Sequence, residues 1–175
     1  MRLRGPFHPS AAPVLSRLAV LFFLFTGAAC TVTVAPVVAK DPEIACPGGT
    51  TSWRLVIADQ RADRRDSEKV IRAIRESIVR SLPGCQWVDA AAPEISIEVH
   101  RFDVRQNEGT WEAAIEFGVI ARDRGGRTLT EFQSDSSIAR PNYRGLDNEK
   151  LALQEALDEA MRRALTGLRA VSNAG

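Results

Sequence analysis

From Trp53 to Ala58 (WRLVIA) the chain is a short apolar run rich in β-formers, which predicts a strand buried on both faces. A charged turn, DQRADRR, follows from Asp59 to Arg65. Val70, Ile71, Ile74, Ile78 and Leu82 then recur at helical spacing, so a helix capped by Asp66 or Ser67 and ended by Pro83-Gly84 is expected. Cys85 to Val88 is long enough for a brief strand, and Ala90 to Pro93 breaks the pattern. Next, Ile95, Ile97 and Val99 alternate with Ser96, Glu98 and His100, giving one buried and one wet face. Phe102 and Val104 continue in the opposite phase, and a slip of one residue at His100-Arg101 is what a β-bulge produces.

Asn107-Glu108-Gly109 reads as a turn, after which Trp111, Ala113, Ile115, Phe117 and Val119 mark a long amphipathic strand. Asp123 to Gly126 is a hairpin connection into a polar strand from Thr128 to Ile138, whose apolar points are Leu129, Phe132 and Ile138. Its Ser and Thr content suits an exposed edge. Pro141 to Gly145 is a loop. Asp147 can cap a last helix, with Leu146 and Leu151 as a hydrophobic staple, and Leu153, Leu157, Ala160, Met161, Ala164, Leu165 and Leu168 as its apolar face. The order β-α-β-β-β-α predicts an α+β two-layer sandwich: an antiparallel-rich mixed sheet of about four strands, with two helices on one face. This domain is expected over residues 52–170, with a C-terminal tail at 171–175.

The N-terminal region has a different character. Arg2, Arg4 and Arg17 are the only charges before Lys40, and Leu18 to Ala29 is an uncharged run ending in small side chains. This is the layout of an export signal, here residues 1–29. Twelve residues make a helix of only ~18 Å, short of the ~30 Å hydrocarbon core of a bilayer. An uncleaved anchor over 18–39 is the minority alternative. From residue 30 to 51 the chain carries Pro36, Pro42, Pro47, Gly48 and Gly49 among small residues and reads as an extended tether.

Apolar residues make up 45% of the chain and charged residues 26%, which is enough hydrophobe for a core. The net charge of +1 lacks the cationic excess with which a protein displaces counterions from nucleic acid, so no nucleic-acid partner is expected. Cys46 and Cys85 are an even pair in an exported chain and are expected to form a disulfide. Closing a loop of about 40 residues is worth roughly 4 kcal/mol in the chain-entropy model.

The residues offer little catalytic chemistry. Beyond the leader the sole histidine is His100, on the polar side of a strand, with no Ser or Cys nucleophile in a supporting motif. One His and two distant Cys build no zinc site. Asp59, Asp63 and Asp66 suggest calcium, but Arg61, Arg64 and Arg65 interleave with them, and a solvated, self-paired loop is the expectation. Glu94, Glu98, Glu112 and Glu116 recur on polar strand faces, where adjacent alternating strands gather carboxylates by geometry alone and Arg101, Arg122 and Arg127 are at hand to neutralise them. Gly125-Gly126 joins two strands and so lacks the helix N-terminus of a phosphate loop. No enzyme activity, metal or cofactor is expected.

Gly27-Ala28-Ala29-Cys30 resembles the lipobox of bacterial lipoproteins, in which the cysteine is lipidated and becomes the mature N-terminus. Here Gly27 stands where that family usually has Leu. Cleavage by the ordinary signal peptidase, after Ala29 or Ala39, is the alternative. With Cys30 lipidated, the mature chain has a charge of −2, and its acyl chains, at ~0.8 kcal/mol per buried CH₂, hold it on a membrane durably. Thr31, in place of the Asp that tends to retain lipoproteins at the inner membrane, favours the outer membrane by analogy.

Val56-Ile57-Ala58-Asp59-Gln60-Arg61 and the helix after it are similar to the start of the YajG-like lipoproteins. The stretch Ile97 to Val104, the hairpin at Gly125-Gly126-Arg127 and the helix Ala152 to Leu168 resemble the auxiliary lipoprotein of ABC-type phospholipid transport systems. These resemblances imply a membrane-tethered, non-enzymatic, periplasm-facing subunit of the Gram-negative envelope. Its partners would be the membrane, through the N-terminal lipid, and other envelope proteins such as an ABC-type lipid transport complex. The role expected is that of an adaptor or auxiliary subunit in envelope maintenance or lipid transport, with strand addition at the edge near Thr128 to Ile138 as one docking mode. The rival is a carrier holding lipid or peptidoglycan between sheet and helices.

Overall fold

In the computed structural model, which describes residues 34–36, 46–89, 91–142 and 147–172, the chain forms one mixed sheet of five strands and two helices. Residues 1–29, Cys30 and Leu146 lie outside the described residues. The elements are β1 (Ser52–Asp59), α1 (Ser67–Ser81), β2 (Gln86–Trp87), β3 (Glu94–Asn107), β4 (Thr110–Arg122), β5 (Thr128–Pro141) and α2 (Asn148–Ser172). Strand order across the sheet is β2-β1-β3-β4-β5. β1 runs parallel to both β2 and β3, and β3, β4 and β5 form an antiparallel meander.

The fifth strand is the brief Gln86–Trp87 pairing with Ser52 and Trp53, so the sheet has one strand more than the four expected. The phase slip at His100-Arg101 is a bulge: Val99 pairs with Phe117 and Arg101 with Glu116, leaving His100 as the extra residue. After it, Phe102 and Val104 return to the helix side, opposite Ile115 and Ala113. The β3–β4 turn has Glu108 (φ 40°) and Gly109 (φ 87°) both left-handed, the combination whose twist matches a two-residue hairpin.

One face of the sheet carries the core. Ile95, Ile97, Val99, Phe117 and Val119 share one fully buried cluster with Val70, Ile74 and Ile78 of α1, which packs over β1, and with Ala156, Leu157, Ala160, Met161 and Leu168 of α2, which packs over β4 and β5. Among the described residues no helix covers the other face, which corrects the expectation that β1 is buried on both sides: Arg54 is exposed, and Val56 and Ala58 are half-buried. Leu129 is likewise not a core residue. It falls at the register shift opposite Ala121/Arg122 and stays exposed. The polar look of β5 misleads too, because Ser134 and Ser136 are buried against α2. The Ser134 hydroxyl donates to the Ala160 carbonyl at 2.6 Å, whereas the Ser136 hydroxyl has no hydrogen-bond partner among the described residues.

Asp66 occupies the cap position of α1 in a left-handed conformation (φ 56°) and makes no side-chain cap bond; its carboxylate pairs instead with Lys69 at 2.8 Å. Leu151, expected in a staple, is 48% exposed. Cys46 and Cys85 are joined by a disulfide, their Cα atoms 5.1 Å apart, which ties the chain before β1 to the residue just beyond α1. Pro47–Gly49 makes a single 3-10 turn whose Pro47 carbonyl accepts from the buried Trp53 indole at 3.2 Å. Within the stretch expected as an extended tether, residues 46–50 are held in this way and Val34–Pro36 lies against α2. α2 itself runs through Ser172, into the stretch expected as a tail.

Candidate functional site

The uncovered face of the sheet is where β1, β3 and β4 place their charged residues, because every second position of each strand points away from the helices. At one end, Arg54, Glu94 and Arg122 stand in one cross-strand row. Glu94 pairs with Arg54 through Oε2 and with Arg122 through Oε1 at 3.1 Å. One row further, the half-buried Val56 and Ile120 flank the buried Ser96 as a small, largely apolar centre. Beyond the bulge, Asp103 is bridged by Arg101 at 3.0 Å and Arg105 at 2.9 Å. The face is a mosaic of neutralised pairs around a small apolar strip.

His100 sits on this face by the alternation that also places Glu98 there, and the bulge shifts the phase of the residues that follow it. Its ring lies across Gly118, where a Cβ would fall 2.9 Å from Nε2, and Nε2 is 3.8 Å from Glu98 Oε2. The four glutamates do not converge. Glu94 is held by two arginines, Glu98 faces His100, Glu112 accepts from Asn107 at 3.3 Å, and Glu116 stands opposite Arg101 in the ladder. Of the three arginines expected to neutralise them, only Arg122 makes an ion pair with one: Arg101 pairs with Asp103 and Arg127 with Asp123. Among the described residues no three His, Cys, Asp or Glu side chains gather as metal ligands do.

The aspartate-arginine stretch after β1 is self-paired, but its first pair is not solvated, and this corrects the expectation for Asp59. Asp59 and Arg61 keep only 3% and 8% of their side-chain surfaces exposed. Arg61 engages the carboxylate in a fork, Nε to Oδ1 at 2.8 Å and Nη2 to Oδ2 at 2.7 Å, while Nη1 and Nη2 reach the Phe102 and Arg65 carbonyls at 3.3 Å. The guanidinium carbon also lies 6.0 Å from the centroid of the Phe102 ring. The Arg61 side-chain bond is the main cause that holds the Asp59 carboxyl down at about 2, against the upward push of burial, with the Ser67 hydroxyl helping. Such a pair fixes the β1–α1 turn to the bulged part of β3. Asp63 and Arg65, by contrast, pair in the open.

The edge of β5 is guarded at its middle. Arg163 of α2 donates through Nη1 to the Asp135 carbonyl at 2.9 Å, so this backbone acceptor is already taken. Arg163 and Arg162 also share Glu159 and, by their hydrogen bonds, hold its carboxyl down at about 2. At the start of α2, Arg140 of β5 pairs with Glu155. Sequence reasoning did not find this guard, since Arg163 reads simply as the solvated face of a helix.

No protein-family model and no curated protein matches the sequence. Solved structures do resemble the fold. Protein XCC0632 from Xanthomonas campestris, of the family designated DUF330, superposes with a TM-score of 0.55 at 18% identity, over 81% of this chain and 99% of that one. A putative lipoprotein from Caulobacter crescentus gives 0.46 at 18% identity, over 65% and 88% of the two chains. The hypothetical protein CT253 from Chlamydia trachomatis gives 0.49 at 8% identity, over 72% and 99%. The α+β architecture of this chain is therefore one it shares with XCC0632.

Proposed function

We propose that this protein is an exported lipoprotein, anchored through Cys30, whose domain serves as a non-enzymatic adaptor or auxiliary subunit in the bacterial envelope. One observation carries the reading. The Cys46–Cys85 bridge accounts for two of the chain's three cysteines and belongs to an oxidising compartment, and the third is Cys30, directly after the apolar leader and its small residues. The adaptor role is favoured over the carrier because the layer between sheet and helices is filled by fully buried side chains, which a lipid would have to displace. The uncovered face offers mixed charge around an apolar strip, the character of a protein-binding surface. Lipid transport with an ABC-type complex, and an outer-membrane location, are the finer forms of this proposal.

The test is metabolic labelling with an alkyne palmitate in cells expressing the full chain, beside Cys30→Ser. Label in the first and none in the second supports the anchor, and an unlabelled wild-type chain refutes it. Affinity capture from crosslinked envelopes then separates the roles: a defined protein complex supports the adaptor, and a stoichiometric co-purifying lipid or glycan supports the carrier.

A further inference from the structure

Val34–Pro36, in the N-terminal segment, is fastened to α2 through the Gln154 side chain. Gln154 accepts from the Ala35 N–H through Oε1 at 2.7 Å and donates from Nε2 to the Ala35 carbonyl at 3.1 Å. An amide can make both contacts at once because it carries an acceptor and two donors. Its remaining donor goes to Asp158 Oδ1 at 2.8 Å, one helical turn on, and this orients the amide toward the segment. Val34 packs against the core beside it. The segment is docked by an apolar contact and a two-point hydrogen bond together.

Covalent reach then limits where a membrane can lie. Only five peptide steps join Ala35 to Cys30, so the two Cα atoms are at most ~18 Å apart. The domain is larger than that: the 14-residue β5 spans roughly 45 Å. α2 runs antiparallel to β5, with Asn148 bonded to Pro141, Ser134 to Ala160, and Phe132 beside Gly167. Its N-terminal half therefore lies at the Glu108-Gly109 end of the sheet, and the Asp123–Arg127 hairpin lies at the other. We infer that the surface around Gln154, with the exposed Leu151 one turn before it, is the membrane-facing end of the domain, and that its partner is a phospholipid bilayer. This rests on the lipid anchor at Cys30 proposed above. The Gln154 clamp makes the leash short, and if it opens, the next fixed point among the described residues is Cys46, sixteen steps from Cys30 and ~55 Å in reach.

The experiment uses the full mature lipoprotein in vesicles of phosphatidylethanolamine and phosphatidylglycerol that carry a gadolinium-chelating headgroup. A spin-labelled unnatural amino acid replaces Leu151 or Arg124, with Gln154 intact or changed by Gln154→Ala. Relaxation by the headgroup gadolinium is expected to be at least about tenfold stronger at 151 than at 124, since the two sites lie near opposite ends of a long strand. The contrast is expected to shrink when Gln154→Ala lengthens the leash. In detergent, Gln154→Ala should speed elastase cleavage beside Ala35 by about tenfold, the worth of two lost hydrogen bonds. Equal relaxation at 151 and 124 in vesicle-bound protein overturns the orientation and leaves the anchor standing. An unchanged cleavage rate overturns the clamp. Protein that carries no lipid and stays off the vesicles overturns the anchor and the orientation together.

Discussion

Gly167, in the C-terminal half of α2, is the position where helix propensity and packing make opposite demands. Alanine is about 1 kcal/mol better than glycine inside a helix, so propensity alone predicts that Gly167→Ala stabilises the protein. The structure predicts the reverse. A Cβ at this position would sit 2.6 Å from Cε2 and 2.8 Å from Cε1 of Phe132, with Cζ closer still, so the ring of β5 meets the helix end-on. Carbon atoms pack at ~3.5–4.0 Å, and about 1 Å of room must be opened. Phe132 is half-buried, and Val119, Ala164 and Leu168 around it are fully buried, so the room can come only from turning the ring outward and giving up its contact with α2. Overpacking of this kind costs about 2 kcal/mol, which exceeds the propensity gain and leaves a net loss of ~1 kcal/mol.

The assay is a double-mutant cycle by urea denaturation with Gly167→Ala, Phe132→Leu and the pair. Leucine removes the tip of the ring, so in that background Gly167→Ala should stabilise by about 1 kcal/mol, and the coupling between the sites should be ~2 kcal/mol, well beyond the ~0.5 kcal/mol scatter of additive sites. An equal slope of free energy against urea in all four proteins would show that only stability has changed. Stabilisation by Gly167→Ala in the wild-type background, with coupling near zero, refutes the reasoning.

Three further outcomes are expected. The Asp59 carboxyl lies below its ordinary value when folded, so the Asp59–Arg61 pair contributes stability that is complete above pH ~4 and lost as pH falls toward ~2, about 2 kcal/mol in all. Asp59→Asn should abolish that acid dependence in denaturation series at pH 3 and pH 7, and at pH 7 it should cost ~3–5 kcal/mol by stranding the Arg61 charge. Reducing the Cys46–Cys85 bridge should lower the unfolding free energy by roughly 4 kcal/mol, read as the shift in urea midpoint with and without dithiothreitol. The two buried serines of β5 should respond differently: Ser134→Ala loses its bond to Ala160 and ~1 kcal/mol, whereas Ser136→Ala removes an unpartnered hydroxyl and leaves stability unchanged or raised by up to ~1 kcal/mol in thermal melts.

The parts of the fold legible in sequence are those fixed by local periodicity. Alternation in Ile95 to Val99 and Trp111 to Val119 locates two strands, and the slip at His100-Arg101 locates the bulge, because each residue's facing depends only on its neighbours. What sequence could not display is long-range satisfaction. Asp59 reads as solvated because nothing local reveals that its partner Arg61 is drawn into the fold by the Phe102 carbonyl, 41 positions on. Ser134 reads as an edge residue because its acceptor, Ala160, is 26 positions away. Gln154 resembles any polar residue on an outer helix face, since its partner lies 119 residues back along the chain. On the uncovered sheet face the residue types were visible, but which arginine takes which carboxylate was decided by register.

The small residues of α2 explain why one helix can serve both ends of the domain. Ala152, Ala156, Ala160 and Ala164 are fully buried, and with no side chain beyond Cβ they let the helix axis lie close over β4 and β5. Close approach makes the contacts at each end directional. At the C-terminal end it brings the Phe132 ring against bare backbone at Gly167, and at the middle it brings the Ser134 hydroxyl within reach of a main-chain carbonyl. A larger apolar face would push the axis outward and forfeit both, since a methylene-sized displacement is felt throughout a close-packed layer. With the helix fixed in this way from below, its outer positions are held rigidly enough for single side chains to act at a distance from the core. Arg163 can cover the edge of β5, and Gln154 can hold the backbone of Ala35, because neither has to order the helix that carries it.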